Sequence, residues 1–194
     1  RQVQTAAEKA GVQCAPVHNF NYEDGVRRTK ELMDSGKLEK ITSIYVLYNI
    51  HHPEEVCARH PGVIRQILTH HAYISQYLVG TPQTVSCMKA TINDGSVPQE
   101  NIAMVTLQMP SGTLGHLCAS FANDDHAGDP WTCMIKVIGQ KGATRYSYRD
   151  WVENTPAVVH SQTYSAYPYT IKNVGNYFIE DCIGRARAPL STLE

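Results

Sequence analysis

The sequence predicts an α+β domain: one open, mostly antiparallel β-sheet with helices on one face. Two features lead to this prediction. Helix-like segments open the chain, and a run of strands joined by hairpin turns follows from residue 84. Separation of helices and strands along a chain is typical of α+β folds, whereas regular alternation would favour a parallel sheet. We therefore expect a single sheet that buries one face beneath helices.

The first elements are short and are punctuated by glycine. Residues 3–10 predict a helix that ends at Gly11, and residues 12–17 predict a short apolar strand. The turn HNFNY, residues 18–22, follows this strand. Residues 23–35 predict a second helix. Its inner stripe consists of Val26, Thr29, Leu32 and Met33.

The strands are predicted from alternation and turn chemistry. Residues 40–50, KITSIYVLYNI, are rich in β-branched and aromatic residues, and the alternation places every second side chain on one face. That face carries Ile44, Val46, Tyr48 and Ile50. Further strands are predicted at residues 84–92, 102–109, 113–121, 131–138 and 143–148, the last four forming two hairpins. A helix over residues 167–183 completes the prediction.

Residues 60–80, HPGVIRQILTHHAYISQYLVG, predict the central helix. Gly62 marks its start, and Gly80 with the following Pro82 marks its end. At about 100° per residue, one stripe is polar and the other is apolar. The polar stripe holds Gln66, His70, Tyr73 and Tyr77, and the apolar stripe holds Ile64, Ile67, His71, Ile74 and Leu78. We expect the polar stripe to border a cavity, although a solvated surface histidine is the ordinary alternative.

Composition excludes several classes of function. The chain has 194 residues and a net charge of −1, and its pI is about 6.8 with charges of both signs interspersed. This pattern argues against a nucleic-acid partner and against a polybasic membrane surface. No apolar run is long enough to span a membrane and no signal peptide is visible, so a soluble, cytoplasmic protein is expected. The cysteines are predicted to be reduced, buried thiols, since no CxxC pair occurs.

A metal site is not predicted, even though the chain has nine histidines. A zinc site needs three or four ligands that converge at a suitable spacing, such as two histidines on one helical face. The adjacent pairs His51–His52 and His70–His71 send their rings in different directions. Metal catalysis remains an alternative.

The segment HPGVIRQILTHHAYISQYLVGTP resembles a helix of the Gfo/Idh/MocA (glucose–fructose oxidoreductase/inositol dehydrogenase) family. In that family the helix carries an aspartate and a histidine four residues apart and ends in Gly-x-Pro. His70 matches the family histidine, Gln66 stands where the aspartate is usual, and Tyr73 stands at a further acidic position. The segments HNFNY, GKLEKI and IKVIGQKGATRYSY match other family motifs in the same order, with Asn21 where arginine is usual.

The resemblance implies an NAD(P)-dependent oxidoreductase that acts on a sugar, a polyol or a related small hydroxyl compound. His70 would be the catalytic base or would hydrogen-bond the substrate, with Gln66 as its neighbour in the catalytic pair. A neutral imidazole suits proton removal because its pKa lies near working pH. Gln66 can hydrogen-bond but cannot accept a proton, so the standard relay of the family is altered here.

The resemblance also assigns binding residues. Tyr73, His71, Asn19 and Tyr22 are expected to bind substrate, and His18 and Asn19 are expected to contact the NAD or NADP cofactor. Each assignment has a structural alternative. His71 lies on the apolar stripe and could be a core histidine, and the turn residues could form an Asn-capped turn with tyrosine packing.

The resemblance further implies that the chain is part of a longer protein. No GxGxxG follows a strand, so the phosphate-binding turn of a dinucleotide fold is not found in these residues. We interpret residues 1–20 as the end of a nucleotide-binding domain and residues 21–194 as a substrate and oligomerisation domain. Alone, the chain is expected to be inactive, and its open sheet face is expected to pair in a homo-oligomer. A non-catalytic assembly module remains the alternative.

Overall fold

The computed structural model describes residues 2–92, 97–122, 131–147, 152–154 and 159–191. Its main feature is a six-stranded sheet. The strands are β1 Ile41–Ile50, β2 Thr84–Ala90, β3 Ile102–Gln108, β4 Leu114–Ser120, β5 Trp131–Gly139 and β6 Gly142–Ser147. Their order is β2-β3-β4-β1-β5-β6. Neighbours are antiparallel except β1 and β4, which are parallel, so the predicted open, mostly antiparallel sheet is confirmed.

Among the described residues, two helices precede β1, three lie between β1 and β2, and one follows the strands. They are α1 Gln2–Ala10, α2 Asp24–Asp34, α3 Glu54–Cys57, α4 Val63–Gln66, α5 Leu68–Val79 and α6 Gln162–Tyr177. A 3₁₀ turn covers Asn19–Tyr22, and a π-helical turn, Phe178–Ile183, continues α6. A small ribbon pairs β7 Val152–Asn154 with β8 Val159–Ser161. None of the described helices is long and apolar enough to cross a bilayer.

The core lies between one face of the sheet and the helices. The alternating face of β1, predicted from the sequence, is confirmed, because Ile44, Val46, Tyr48 and Ile50 are 0 to 8% exposed. Register places the inner residues of β4 and β5 beside them, for example Leu117 and Ile135 on either side of Val46. The helices α4 and α5 and the 3₁₀ turn pack on this face, so the sheet fixes their position.

The central helix predicted over residues 60–80 is broken in the structure. The helix α4 ends at Gln66 and α5 begins at Leu68, with Ile67 between them at φ −101°. The Ile67 carbonyl accepts the His70 N–H in a three-residue turn. A single helical wheel therefore does not describe the segment. Tyr73 of the predicted polar stripe is only 7% exposed but lines a concavity, as expected for that stripe.

The short strand predicted at residues 12–17 is wrong. These residues form no strand, and Val12 and Val17 are 59% and 60% exposed. Pro16 lacks a backbone N–H, and no strand within the described residues pairs with this segment. The predicted final helix is confirmed but begins five residues earlier, at Gln162 rather than Tyr167.

Replacement of Gly139 by alanine is expected to destabilise the fold. At Gly139 an added Cβ would lie 2.2 Å from the Leu38 carbonyl oxygen and 2.9 Å from the Leu38 Cβ. Because backbone cannot move as easily as a flexible side chain, we expect a loss of about 1–3 kcal/mol in the free energy of unfolding. Urea titration of the Gly139→Ala protein measures this loss.

The matched control is Gly175→Ala in α6, where an added Cβ meets nothing within 4 Å. Alanine has a higher helix propensity than glycine, so this variant should gain up to about 1 kcal/mol. If the two substitutions change the free energy of unfolding equally, the contact with Leu38 does not restrict the size of the side chain at position 139.

Candidate active site

A hydrogen-bonded cluster joins the 3₁₀ turn to α5, and its centre is the hydroxyl of Tyr73. The Tyr73 Oη lies 2.7 Å from the Nδ1 of His70. It also lies 3.2 Å from the Oδ1 of Asn19 and 3.4 Å from the backbone N of Phe20, which donates to it. His70 and Tyr73 are three residues apart on one helix, so their side chains leave the same face.

The far end of the cluster is held by α6. The Asn19 Nδ2 donates to the Thr170 Oγ1 over 2.8 Å. The Thr170 hydroxyl in turn donates to the Tyr167 carbonyl oxygen over 2.7 Å. Asn19 and Thr170 are 2% and 0% exposed. Three separate elements therefore hold one continuous chain of hydrogen bonds in the interior.

Aromatic rings enclose the cluster. The His18 ring stacks on the Tyr73 ring, with centroids 4.2 Å apart and planes 10° from parallel. The His70 ring meets Phe20 edge-on at 5.4 Å, and the Tyr48 ring lies 6.4 Å away. These rings restrict how far the imidazole of His70 can rotate.

Burial sets the charge state of the cluster. Burial and, to a smaller extent, the nearby His18 together lower the pKa of His70 from 6.5 to about 4. Burial also lowers the pKa of His18 and raises the pKa of Tyr73 above its usual value of 10. At neutral pH both rings are therefore neutral and the Tyr73 hydroxyl keeps its proton. A neutral imidazole can accept a proton from a bound alcohol, but a pKa of about 4 is lower than the value near working pH that the sequence suggested.

One nitrogen of His70 remains available for this task. The Nδ1 is occupied by Tyr73, whereas Nε2 has no hydrogen-bond partner within the described residues. The Nε2 atom also keeps some exposure to solvent. A hydrogen bond formed at Nε2 would therefore not displace an existing one.

A concavity of about 310 Å³ lies beside the cluster. Its wall includes the rings of His18 and Tyr73, so it touches the hydrogen-bonded chain directly. The buried Oδ1 of Asn21 has no hydrogen-bond partner within the described residues and belongs to a lining residue. His70 is not a lining residue and is linked to this wall through Tyr73. The remaining lining residues are Gln76, Tyr77, Leu190 and Ser191.

The family is decided by the sequence match across the sheet and central helices. The family model described as the GFO/IDH/MocA C-terminal domain matches residues 26–145, more than half of the chain. The chain belongs to the GFO/IDH/MocA C-terminal domain family. The resemblance seen in the sequence is thereby confirmed. No curated protein matches the chain at a significant level.

Solved structures share the fold of this GFO/IDH/MocA domain. A probable dehydrogenase from Thermotoga maritima has a TM-score of 0.79 at 16% identity, covering 98% of this chain and 60% of its own. An oxidoreductase from Agrobacterium radiobacter in complex with NAD+, L-tartaric acid and magnesium has a TM-score of 0.76 at 13% identity, covering 95% and 59%. The WlbA dehydrogenase from Bordetella pertussis in complex with NADH and UDP-GlcNAcA has a TM-score of 0.64 at 18% identity, covering 74% and 46%.

The chain thus spans about 60% of the length of the first two of these structures. At these identities the likeness shows a common fold. Their cofactors and ligands belong to those proteins.

The GFO/IDH/MocA domain brings four of the predicted site residues together. His70, Tyr73, Asn19 and His18 all lie in the cluster described above. Gln66 does not join them. It lies on the separate helix α4, and its side chain forms no hydrogen bond with His70 in the part of the chain that the structure describes. Its pairing with His70 remains a prediction that this geometry does not favour.

His71 and Tyr22 lie elsewhere. His71 is 1% exposed in the core, 6.5 Å from the Tyr48 ring, and neither ring nitrogen has a partner among the described residues. Tyr22 is 2% exposed and packs with Tyr177 and Cys182 in a separate cluster. Neither residue borders the concavity. Their burial supports the core-packing interpretation rather than substrate contact.

Sequence reasoning missed Thr170 and Phe20. Thr170 lies 151 residues from Asn19, its hydrogen-bond partner, so no local pattern could have joined them. Phe20 could have been noticed as the aromatic residue of the turn HNFNY. In the described part of the GFO/IDH/MocA domain, no group of three or more His, Cys, Asp and Glu side chains is arranged to hold a metal ion.

Proposed function

We propose that the chain is the substrate-binding and oligomerisation part of an NAD(P)-dependent oxidoreductase that acts on a sugar, a polyol or a related hydroxyl compound. Hydride transfer would require a nucleotide-binding domain encoded upstream. The observation that carries this proposal is the neutral His70, held by Tyr73 and Asn19 beside a concavity, with Nε2 unoccupied.

His70 and its neighbours would handle the proton. Oxidation of an alcohol removes a hydride from carbon and a proton from oxygen. When bound, NAD(P)+ would supply the hydride acceptor. The Nε2 of His70 would accept the hydroxyl proton, while Tyr73 holds the ring at Nδ1 and the surrounding aromatic rings limit access of water.

The residues of this chain fit a cofactor contact only in part. The sequence has no GxGxxG turn to cradle a pyrophosphate. Asn19 is 2% exposed, and both polar atoms of its amide are already engaged. His18 is half-buried and lines the concavity, so it is the better candidate of the two predicted cofactor residues. Most of the cofactor would be bound by residues outside this chain.

Two further observations support the proposal. Structural relatives crystallised with NAD+ or NADH also carried L-tartaric acid or a sugar nucleotide, which are hydroxyl compounds. The helix α1 buries none of its residues, and Val3 is 61% exposed. This exposure suits α1 as part of the upstream domain proposed over residues 1–20, whereas Asn19 and Phe20, 2% and 1% exposed, pack with the substrate domain proposed over residues 21–194.

The proposal is tested by comparing the 194-residue chain with a version extended upstream. Titration with NADH and NADPH, followed by cofactor fluorescence, should show micromolar binding only for the extended protein. The extended protein should also reduce NAD(P)+ with one member of a panel of sugars and polyols. Micromolar binding of either cofactor by the 194-residue chain would contradict the proposal.

The alternative function is a non-catalytic assembly module. The observation that favours it is the replacement of the family aspartate by Gln66, whose side chain makes no hydrogen bond to His70. On this alternative the extended protein would bind NAD(P) without oxidising any alcohol in the panel.

The sheet face opposite the core would form the homo-oligomer. One row crosses five strands through register-paired residues, which all point to the same side. The row is Met88, Met104, Cys118, Leu47 and Met134. Met88 is 81% and Met104 48% exposed, and neighbouring Leu114 and Tyr45 are 52% and 38% exposed. Large apolar side chains exposed together on one sheet face are typical of an interface.

We predict that Met104→Glu dissociates this oligomer. A carboxylate at the centre of an apolar interface would have to lose its water without gaining a partner. The mass in solution, measured by light scattering after gel filtration, should fall toward that of one chain. Gln140→Glu, in the exposed turn between β5 and β6, adds the same charge away from the face and should leave the mass unchanged. Equal masses for all three proteins would exclude this face.

A further inference from the structure

We propose that Tyr73, Asn19 and Thr170 hold His70 in the neutral tautomer that carries its hydrogen on Nδ1, so that Nε2 is the proton acceptor. These three are positioning residues. Tyr73 and Asn19 would thus act through His70 rather than by binding substrate or cofactor, the roles that the sequence suggested. The catalytic meaning of the tautomer rests on the proposed function, but its existence does not.

The donor and the acceptor of each hydrogen bond can be assigned in turn, starting from the Tyr167 carbonyl oxygen. A carbonyl can only accept, so the Thr170 hydroxyl gives it its single hydrogen over 2.7 Å. The Thr170 Oγ1 must then accept in its contact with Asn19, which requires the NH₂ group of the amide at 2.8 Å. This requirement fixes the amide orientation, and the Oδ1 of Asn19 faces Tyr73.

The next two steps follow from counting hydrogens. The Oδ1 of Asn19 can only accept, and the residue is 2% exposed, so the Tyr73 hydroxyl donates to it over 3.2 Å. The Phe20 N–H also points at the Tyr73 oxygen and cannot accept. Tyr73 has then used its only hydrogen. In the 2.7 Å contact between Tyr73 and the Nδ1 of His70, the imidazole must donate.

The opposite direction has a physical penalty. If Tyr73 donated to the Nδ1 of His70, the buried Oδ1 of Asn19 would have no donor among the described residues. A buried acceptor without a partner is costly, and buried polar groups are seldom left in that state. The 2.7 Å distance itself lies within the range of N–H···O bonds, so the geometry permits the Nδ1–H tautomer.

The tautomer matters because free imidazole in water prefers its hydrogen on Nε2. Left alone, His70 would present a donor at the very nitrogen that is unoccupied in the cluster. The buried chain reverses this preference and presents a lone pair there. Since Gln66 forms no hydrogen bond with His70, the orienting role would pass from α4 to Tyr73, one turn beyond His70 on α5.

The tautomer is measured on the extended protein labelled with ¹⁵N-histidine, using the two-bond ¹H–¹⁵N correlation pattern of the ring. The His70 signal is assigned by its loss in His70→Gln. We expect the Nδ1–H pattern in the wild type and the Nε2–H pattern in Tyr73→Phe, which lacks the hydroxyl. Tyr169→Phe, at a 61% exposed position of α6, should keep the wild-type pattern.

Thr170 supplies an independent pair of variants. Thr170→Val removes the hydroxyl that orients Asn19 and should move the His70 signal toward the Nε2–H pattern. Thr170→Ser keeps the hydroxyl and should restore the wild-type pattern. If Thr170→Val acted only through altered packing, Thr170→Ser would not restore the wild-type pattern, because serine is smaller than both threonine and valine.

Kinetics give a second readout. In Tyr73→Phe, kcat should fall by about 10²-fold with little change in KM, because a base in the wrong tautomer binds substrate but cannot take its proton. An Nε2–H pattern in the wild type, or an unchanged pattern in Tyr73→Phe, would overturn the inference. If the histidine signals show the expected tautomers but the extended protein transfers no hydride, the inference is upheld and only the proposed function is contradicted.

Discussion

Replacement of His70 by alanine in the extended protein is expected to lower kcat by about 10²- to 10⁴-fold. This is the usual contribution of a positioned general acid or base. His70 is neutral because burial lowers its pKa from 6.5 to about 4, and its Nε2 has no partner within the described residues. Loss of the ring removes the proton acceptor and leaves the Tyr73 hydroxyl without its 2.7 Å partner.

Two variants separate the possible causes. His70→Gln keeps hydrogen-bonding capacity but cannot take a proton, so it should be nearly as slow as His70→Ala. His51→Ala, at an exposed position just beyond β1, should keep the wild-type rate. The steady-state rate of NAD(P)H formation is measured for each of the three variants. A rate close to that of the wild type in His70→Ala would remove this residue from the chemistry.

The sheet was predictable because its signals are local. Every second residue of β1 is apolar, and the strand is a β-branched and aromatic run, so Ile44, Val46 and Tyr48 had to share a buried face. Glycine turns between β3 and β4 and between β5 and β6 fixed the hairpins. The parallel pairing of β1 with β4 has no such signal, since it joins strands that are far apart in the chain.

The site was predictable only where one helix carries it. The spacing of His70 and Tyr73 on α5 follows from helical geometry, and they do hydrogen-bond. The same reasoning did not hold for Gln66, because the helix is broken at Ile67, between Gln66 and His70. A helical wheel assumes an unbroken helix and so cannot reveal a break within the segment.

Long-range polar contacts were beyond the reach of sequence. Asn19 meets Thr170 across 151 positions, and no periodicity links a turn near the start of the chain to a helix near its end. Yet this contact sets the direction of the hydrogen bonds that reach His70. The fold was thus visible in local patterns, whereas the state of the catalytic group depends on how distant elements meet.

The stability of the chain is expected to fall steeply in mild acid. Burial lowers the pKa of His70 to about 4, and burial with the nearby His70 lowers the pKa of His71 to about 3, both from 6.5. Unfolding therefore takes up protons below pH 6.5, and the free energy of unfolding decreases as pH falls through that window toward the folded values. Each histidine should remove about 2 kcal/mol between pH 7.5 and pH 5. Urea titrations at several pH values measure the slope.

His71→Leu should remove the share of that loss that His71 contributes, about 2 kcal/mol, and should also stabilise the chain at pH 7.5. His71 is 1% exposed, and both ring nitrogens are without partners among the described residues. An unpartnered buried polar group costs about 1–3 kcal/mol, which a leucine of similar volume would avoid. His71→Asn separates the two effects, because it also cannot titrate but keeps a polar group in the core. It should share the shallower slope without the gain at pH 7.5. If neither variant changes the slope, His71 is already protonated or solvated in the folded chain, and the acid sensitivity must come from other groups.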